Sequence, residues 1–323
     1  MNGTGRLAAI VHVFRAEAFK VVRKRRVYVL AALYWVVLPI LVLVTARVLH
    51  VNLARSFANE VGNVDQALQL FASPFGLVQV ALAAPAYMSP TLYIVAVALV
   101  AALLIGDERS QNMWKSVLVV QPDRWAVLIG KVAVAMATLG ALMLGAAASG
   151  FLFGAIGTTF LPTTFAGAWG EVAGFYLLQW AVLLAPTLFA FLMVFVVRSG
   201  VLGVVTVLFL PGLVEGIYTV LTSLSQLQPL NRINAVFQAL RLRRAWEALP
   251  EYFFTANLYL PARWPVRDAV NALIETDGDV DMGPFTGMLG GDLTLPHAGL
   301  VMLGYAALFG LLLAWAFLRR DVE

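Results

Sequence analysis

Val27-Tyr-Val-Leu-Ala-Ala-Leu-Tyr-Trp-Val-Val-Leu-Pro-Ile-Leu-Val-Leu-Val-Thr-Ala-Arg-Val-Leu49 follows directly on Arg23-Lys-Arg-Arg26, and this juxtaposition decides the fold class. The run contains 14 Leu, Ile or Val residues. At roughly −0.3 to −0.6 kcal/mol each in mid-bilayer, they favour insertion by about 4 to 8 kcal/mol as an upper bound. The first 26 residues carry seven basic side chains against one acid, Glu17. Such a flank holds the N-terminus on the cytoplasmic side. The run is longer than a signal-peptide core and no small-residue cleavage site closes it, so it reads as a retained anchor.

Outside this run the chain repeats the theme. Of its 323 residues 61% are hydrophobic and 12% charged, and the mean hydropathy is +0.85. Soluble domains need about twice that share of charge to cover their surface. An ordinary soluble enzyme and a disordered chain are both excluded. Runs near Leu77–Ile105, Ala126–Ile156, Val172–Val197, Val201–Leu224 and Ala298–Leu318 are each long enough for a helical crossing. The reading is an all-α integral membrane protein of six transmembrane helices, forming one transmembrane domain over residues 1–323, with both termini cytoplasmic. Dividing the net charge of +4 by this topology leaves +8 on the cytoplasmic flanks and −4 elsewhere. That asymmetry is the one the positive-inside rule demands.

Three segments lie outside the spans. In residues 1–26, Leu7, Ile10, Val11, Phe14, Ala18 and Val21 recur at steps of three and four, with His12, Arg15 and Lys20 on the polar side. This spacing predicts an amphipathic helix in the cytoplasmic interface. Residues 107–125 run from Asp107-Glu108 through Met113-Trp114-Lys115 to Pro122-Asp123-Arg124. They predict a short cytoplasmic helix stopped at Pro122, whose exposed Trp and aliphatics require a partner. Residues 226–296 form an extracytoplasmic segment too long for a plain connection. Val236, Leu240, Trp246, Leu249 and Phe253 predict amphipathic helix there, and Glu275, Asp277, Asp279 and Asp281 a solvated acidic loop.

Two features fall inside the spans. Gly150 and Gly154 form a small-x-x-x-small pair suited to close helix packing, within the chain or between copies. Glu215 is an acid inside an apolar run and therefore a functional candidate; its plainer reading is a helix broken at Pro211 that leaves the carboxylate near an interface. Catalytic patterns are absent. Gly130-Lys131 lacks the rest of a phosphate-binding loop, the three His are scattered, there is no Cys, and no metalloprotease or serine-hydrolase motif occurs. The Asp277-Gly-Asp-Val-Asp281 run lacks the bidentate acid of a calcium loop. No cofactor or metal is expected in this chain, and its basic residues flank a membrane rather than nucleic acid.

The basic N-terminal helix, the six spans, and an acid (Glu108), a Trp-Lys pair (Trp114-Lys115), a Pro (Pro122), a basic residue (Arg124) and Gly130-Lys131 opening the third span together resemble the permease subunits of ATP-binding-cassette transporters of the type-2 exporter class. The resemblance implies a chain that is not itself an enzyme. It pairs with a second permease chain and docks a separate ATPase subunit that holds ATP and Mg. It implies that residues 107–125 are the coupling helix, with Glu108, Met113, Trp114, Lys115, Pro122 and Arg124 at or near the docking surface; Met113 departs from the small residue or Thr common there. Two other readings stay open: a membrane anchor for a cytoplasmic partner, and an ATP-independent carrier that uses Glu215 as its protonatable group. The cargo (amphipathic, lipid-like, peptide or drug) is not legible.

Overall fold

The computed structural model describes residues 3–56, 61–83, 91–110, 119, 123–225, 243–262 and 293–319. Every regular element among them is helical. α1 (Gly3–Arg23) ends at Lys24, whose extended backbone turns the chain into the first long apolar helix, α2 (Arg25–Asn52), with a π-helical turn at Leu33–Val37. Two short helices follow, α3 (Val61–Ala72) and α4 (Pro74–Ala83), then α5 (Leu92–Gly106), which continues through a final turn, Asp107–Ser110. The bundle is completed by α6 (Arg124–Gly157), α7 (Trp169–Val197), α8 (Gly200–Ser225), the short α9 (Arg243–Ala248), α10 (residues 254–262) and α11 (Leu295–Arg319).

Among the described residues five helices are long and apolar enough to cross a membrane: α2, α6, α7, α8 and α11. The chain is thus an all-α integral membrane protein, and these five coincide with five of the six expected runs. The sixth, Leu77–Ile105, departs from expectation because it is divided into α4 and α5. Pro85 and Pro90 lie in the sequence between them and lack the N–H a continuous helix needs. Thr91 then restarts the chain, its hydroxyl accepting from the Ile94 N–H at 3.4 Å. With its final turn α5 reaches about 28 Å, close to the hydrocarbon thickness. Pro211, by contrast, breaks nothing: α8 runs through it without interruption.

α6 is the axis of the bundle. At 34 residues it is about 51 Å long, so its first turns project beyond the hydrocarbon core. Asp123 caps it, Oδ1 accepting from the N–H groups of Trp125 and Ala126 at 3.0 and 3.3 Å. α4 lies along it. A Cβ on Gly154 would stand 2.4 Å from the Pro74 Cα, and one on Gly150 2.8 Å from the Leu77 carbonyl oxygen, so the glycine pair admits a neighbouring backbone of the same chain. In mid-span, Trp35, Trp180 and Tyr176 donate to the α6 carbonyls of Leu142, Met136 and Gly140 at 2.9, 2.8 and 3.2 Å. The polar ends of these large side chains are satisfied without water.

Candidate functional site

α1, the end of α5 and the start of α6 meet in one ion cluster. Lys131 is fully buried; its Nζ lies 2.8 Å from Glu17 Oε1, 2.9 Å from Glu108 Oε2 and 2.8 Å from the Leu104 carbonyl oxygen. It donates to Glu17 and to the Leu104 carbonyl and forms an ion pair with Glu108. Glu17 and Glu108 are themselves buried, and Lys20 closes the ring, 2.7 Å from Glu108 Oε1 and 3.1 Å from Glu17 Oε1. Two acids and two lysines cancel, so no net charge is buried.

Each residue reaches this point for a local reason. Glu17 and Val21 lie on one face of α1, one turn apart, and that face packs on α6. Gly130 makes the approach possible, since a Cβ there would stand 2.6 Å from Val13 Cγ1. Lys131 follows it on α6, and Glu108 sits in the last turn of α5. The apolar stripe predicted on α1 is therefore split: Phe14, Ala18 and Val21 face the protein, while Leu7 and Val11 remain exposed.

The electrostatics follow the geometry. Burial pushes the Glu108 carboxyl up, but the neighbouring ammonium groups of Lys131 and Lys20 outweigh it and hold the group below its ordinary 4.5. Burial likewise pushes Lys20 down, and its bonds to Glu108 and Glu17 more than reverse this, leaving it above 10.5. Three further ion pairs join α1 and the elbow after it to the same region. Lys24 meets Asp107 at 2.8 Å with Arg26 at 3.6 Å, and Arg6 meets Asp123 at 3.4 Å. The end of α5 and the start of α6 are thus both fastened to the N-terminal region.

Of the residues singled out from sequence, Glu108 sits behind the loop as part of the cluster. Arg124, at the start of α6, donates to the Leu318 carbonyl oxygen at 2.9 Å and so ties α6 to the end of α11. Met113, Trp114, Lys115 and Pro122 lie outside the described residues, as do the acidic run Glu275–Asp281 and most of residues 226–296. Glu17, Lys20 and Lys131 complete the site without having been singled out for it. The available signals were a lone acid in a basic helix and a lysine at the mouth of an apolar run.

Glu215 lies elsewhere, on α8 at the other end of the bundle. Its carboxylate accepts from the Thr255 N–H at 2.8 Å and from the Thr255 hydroxyl. Both donors lie in the first turn of α10, which begins after the extended Phe253. Glu215 is an N-cap supplied from another helix, in the place where the helix dipole favours an anion. The arrangement holds α10 against the span, where Phe254, Leu258 and Tyr259 are buried. Tyr218 donates to the Trp246 carbonyl at 2.9 Å and adds α9 to the same assembly. Among the described residues no group of His, Cys, Asp and Glu could hold a metal ion.

Ion pairs thus join α1 to the ends of two helices at one end of a bundle of long apolar helices. The model of the ABC-2 family transporter proteins matches residues 13–213, well over half of the chain, and the chain belongs to that family. Membership makes it the multi-pass permease component of an ABC transporter and implies association with an ABC ATPase subunit. No curated protein and no solved structure matches it.

Proposed function

We propose that this chain is the membrane half of an ATP-driven exporter in the cytoplasmic membrane, with six crossings and both termini cytoplasmic. ATP and Mg are held by the partner ATPase, which docks on residues 107–125 through Met113, Trp114, Lys115 and Pro122, with Glu108 and Arg124 anchoring that surface from behind. The observation that carries this reading is the fastening of the loop to α1 and α6 by the buried Glu17–Lys20–Glu108–Lys131 cluster. A loop that is to pass on the movement of a docked ATPase must be stiffly joined to the spans. ATP binding shifts the permease between inward- and outward-open states only in so far as the ATPase engages the two states differently. A second permease chain completes the pathway; α8, whose apolar face is the least covered of the long helices, is the surface it would use. Glu215, capping α10, favours a structural role in the outer segment 226–296 over that of a carrier's proton site.

The test is mild extraction of the tagged chain from its host with identification of what copurifies, repeated with Trp114→Ala. A stoichiometric ATPase with a phosphate-binding loop is expected, and its yield should fall at least tenfold in the variant while membrane insertion is unchanged. Extraction of the chain alone, or undiminished copurification with Trp114→Ala, would overturn the function or the docking surface respectively.

A further inference from the structure

α1 has a second face that the cluster does not use. Leu7, Val11, Phe19 and Val22 are 67%, 44%, 58% and 60% exposed, and Arg15, Arg23 and Arg25 are exposed beside them. The cations of this helix and of the elbow after it divide into paired and unpaired. Arg6, Lys20, Lys24 and Arg26 meet Asp123, Glu108 and Asp107, whereas Arg15, Arg23 and Arg25 have no carboxylate partner among the described residues. The Arg23 guanidinium stands 4.0 Å over the Phe19 ring. Immediately after this elbow the chain enters α2, whose first turns expose Tyr28 (59%) and Val29 (71%).

We propose that the elbow between α1 and α2 is a binding site for an anionic phospholipid, with Arg23 and Arg25, aided by Arg15, on the headgroup phosphate and Phe19, Val22 and Val29 against the acyl chains. Guanidinium groups are suited to this because their planar forks meet phosphate oxygens in pairs and are weakly hydrated. Exposed aromatic and aliphatic side chains beside them are costly in water and favourable at the acyl boundary. The elbow leads into a membrane span, so a leaflet surface lies against it whatever binds the loop. This site goes beyond the export reading and does not depend on it.

The chain contains no cysteine, so Ala16→Cys on the exposed side of α1 accepts a single fluorophore next to the site. The full chain, with its copurifying subunits, is placed in nanodiscs of phosphatidylcholine with a minor fraction of phosphatidylglycerol, one or the other brominated on its acyl chain. Quenching by brominated phosphatidylglycerol should exceed that by brominated phosphatidylcholine at equal mole fraction. The preference should fall roughly fivefold for each arginine removed in Arg23→Gln and Arg25→Gln. Lys24→Gln, whose ammonium serves Asp107, should leave it unchanged. Equal quenching by the two lipids would overturn the proposal, as would a preference that survives both arginine substitutions. Competition by free glycerol 3-phosphate would show a phosphate site rather than a lipid site. Quenching that appears only after the copurifying subunits are stripped away would assign the face to protein.

Discussion

The two ends of the bundle each bury carboxylate, and they partner it by different means. At the end where α1 lies, Glu17 and Glu108 are paired with the ammonium groups of Lys20 and Lys131, drawn from helices far apart in sequence. At the other end Glu215 has no lysine or arginine beside it among the described residues and is held by the Thr255 N–H and hydroxyl in the first turn of α10. Point charges are strong and unforgiving, because removing one partner strands the other in a medium that cannot solvate it. A helix terminus is weaker, and its loss can be made good by water or a neutral acceptor. The α1 site is therefore built to join elements stiffly, and the Glu215 site to seat a short helix.

The largest effect that would break this contrast is Lys131→Met. Two buried carboxylates would lose their shared ammonium, and a loss of about 3 to 5 kcal/mol is expected, read as a lower thermal midpoint in detergent. Sharpening the same point, Glu17→Gln and Glu108→Gln added to Lys131→Met should recover much of that loss, since the one charge left, on the part-exposed Lys20, can turn to water. If the triple variant is no better than the single, the damage is to packing rather than to charge.

Thr255→Val should cost about 1 to 2 kcal/mol and show as faster proteolysis after α9 rather than as global unfolding, since it removes one hydroxyl from the Glu215 site. Glu215→Gln should cost about 1 kcal/mol or less, because an amide oxygen still accepts from the helix terminus. A collapse of ATPase-independent transport in Glu215→Gln would instead restore the carrier reading.

The pH response of α1 separates the two ends further. Glu108 is held below 4.5, so its contribution is complete above that pH and is lost as pH falls through its lowered value. Lys20 is held above 10.5, so its contribution is complete below that pH and is lost as pH rises through its raised value. The protection factors for amide exchange along α1, taken against the intrinsic rate at each pH, should be flat between about pH 5 and 10 on this account and should fall outside that window. The smallest effect is expected from Lys24→Gln, whose half-exposed pair with Asp107 carries at most about 1 kcal/mol.

Hydropathy and charge alone determined that the chain crosses a membrane, where five of its long helices lie, and that a basic helix precedes them. These properties are local: an apolar run of about 20 residues inserts whatever its neighbours are. They also placed an acid, a lysine and a glycine at the right ends of the right elements. They did not show that Glu17 and Lys131, 114 residues apart, are partners, nor that Glu215 caps a helix that begins 39 positions later, at Phe254. Nor did they divide Leu77–Ile105 or turn half of the α1 stripe onto α6. Those outcomes depend on which donors stand within 3 Å of a desolvated acceptor and on which backbone a glycine lets approach, and only the packed arrangement of helices decides either.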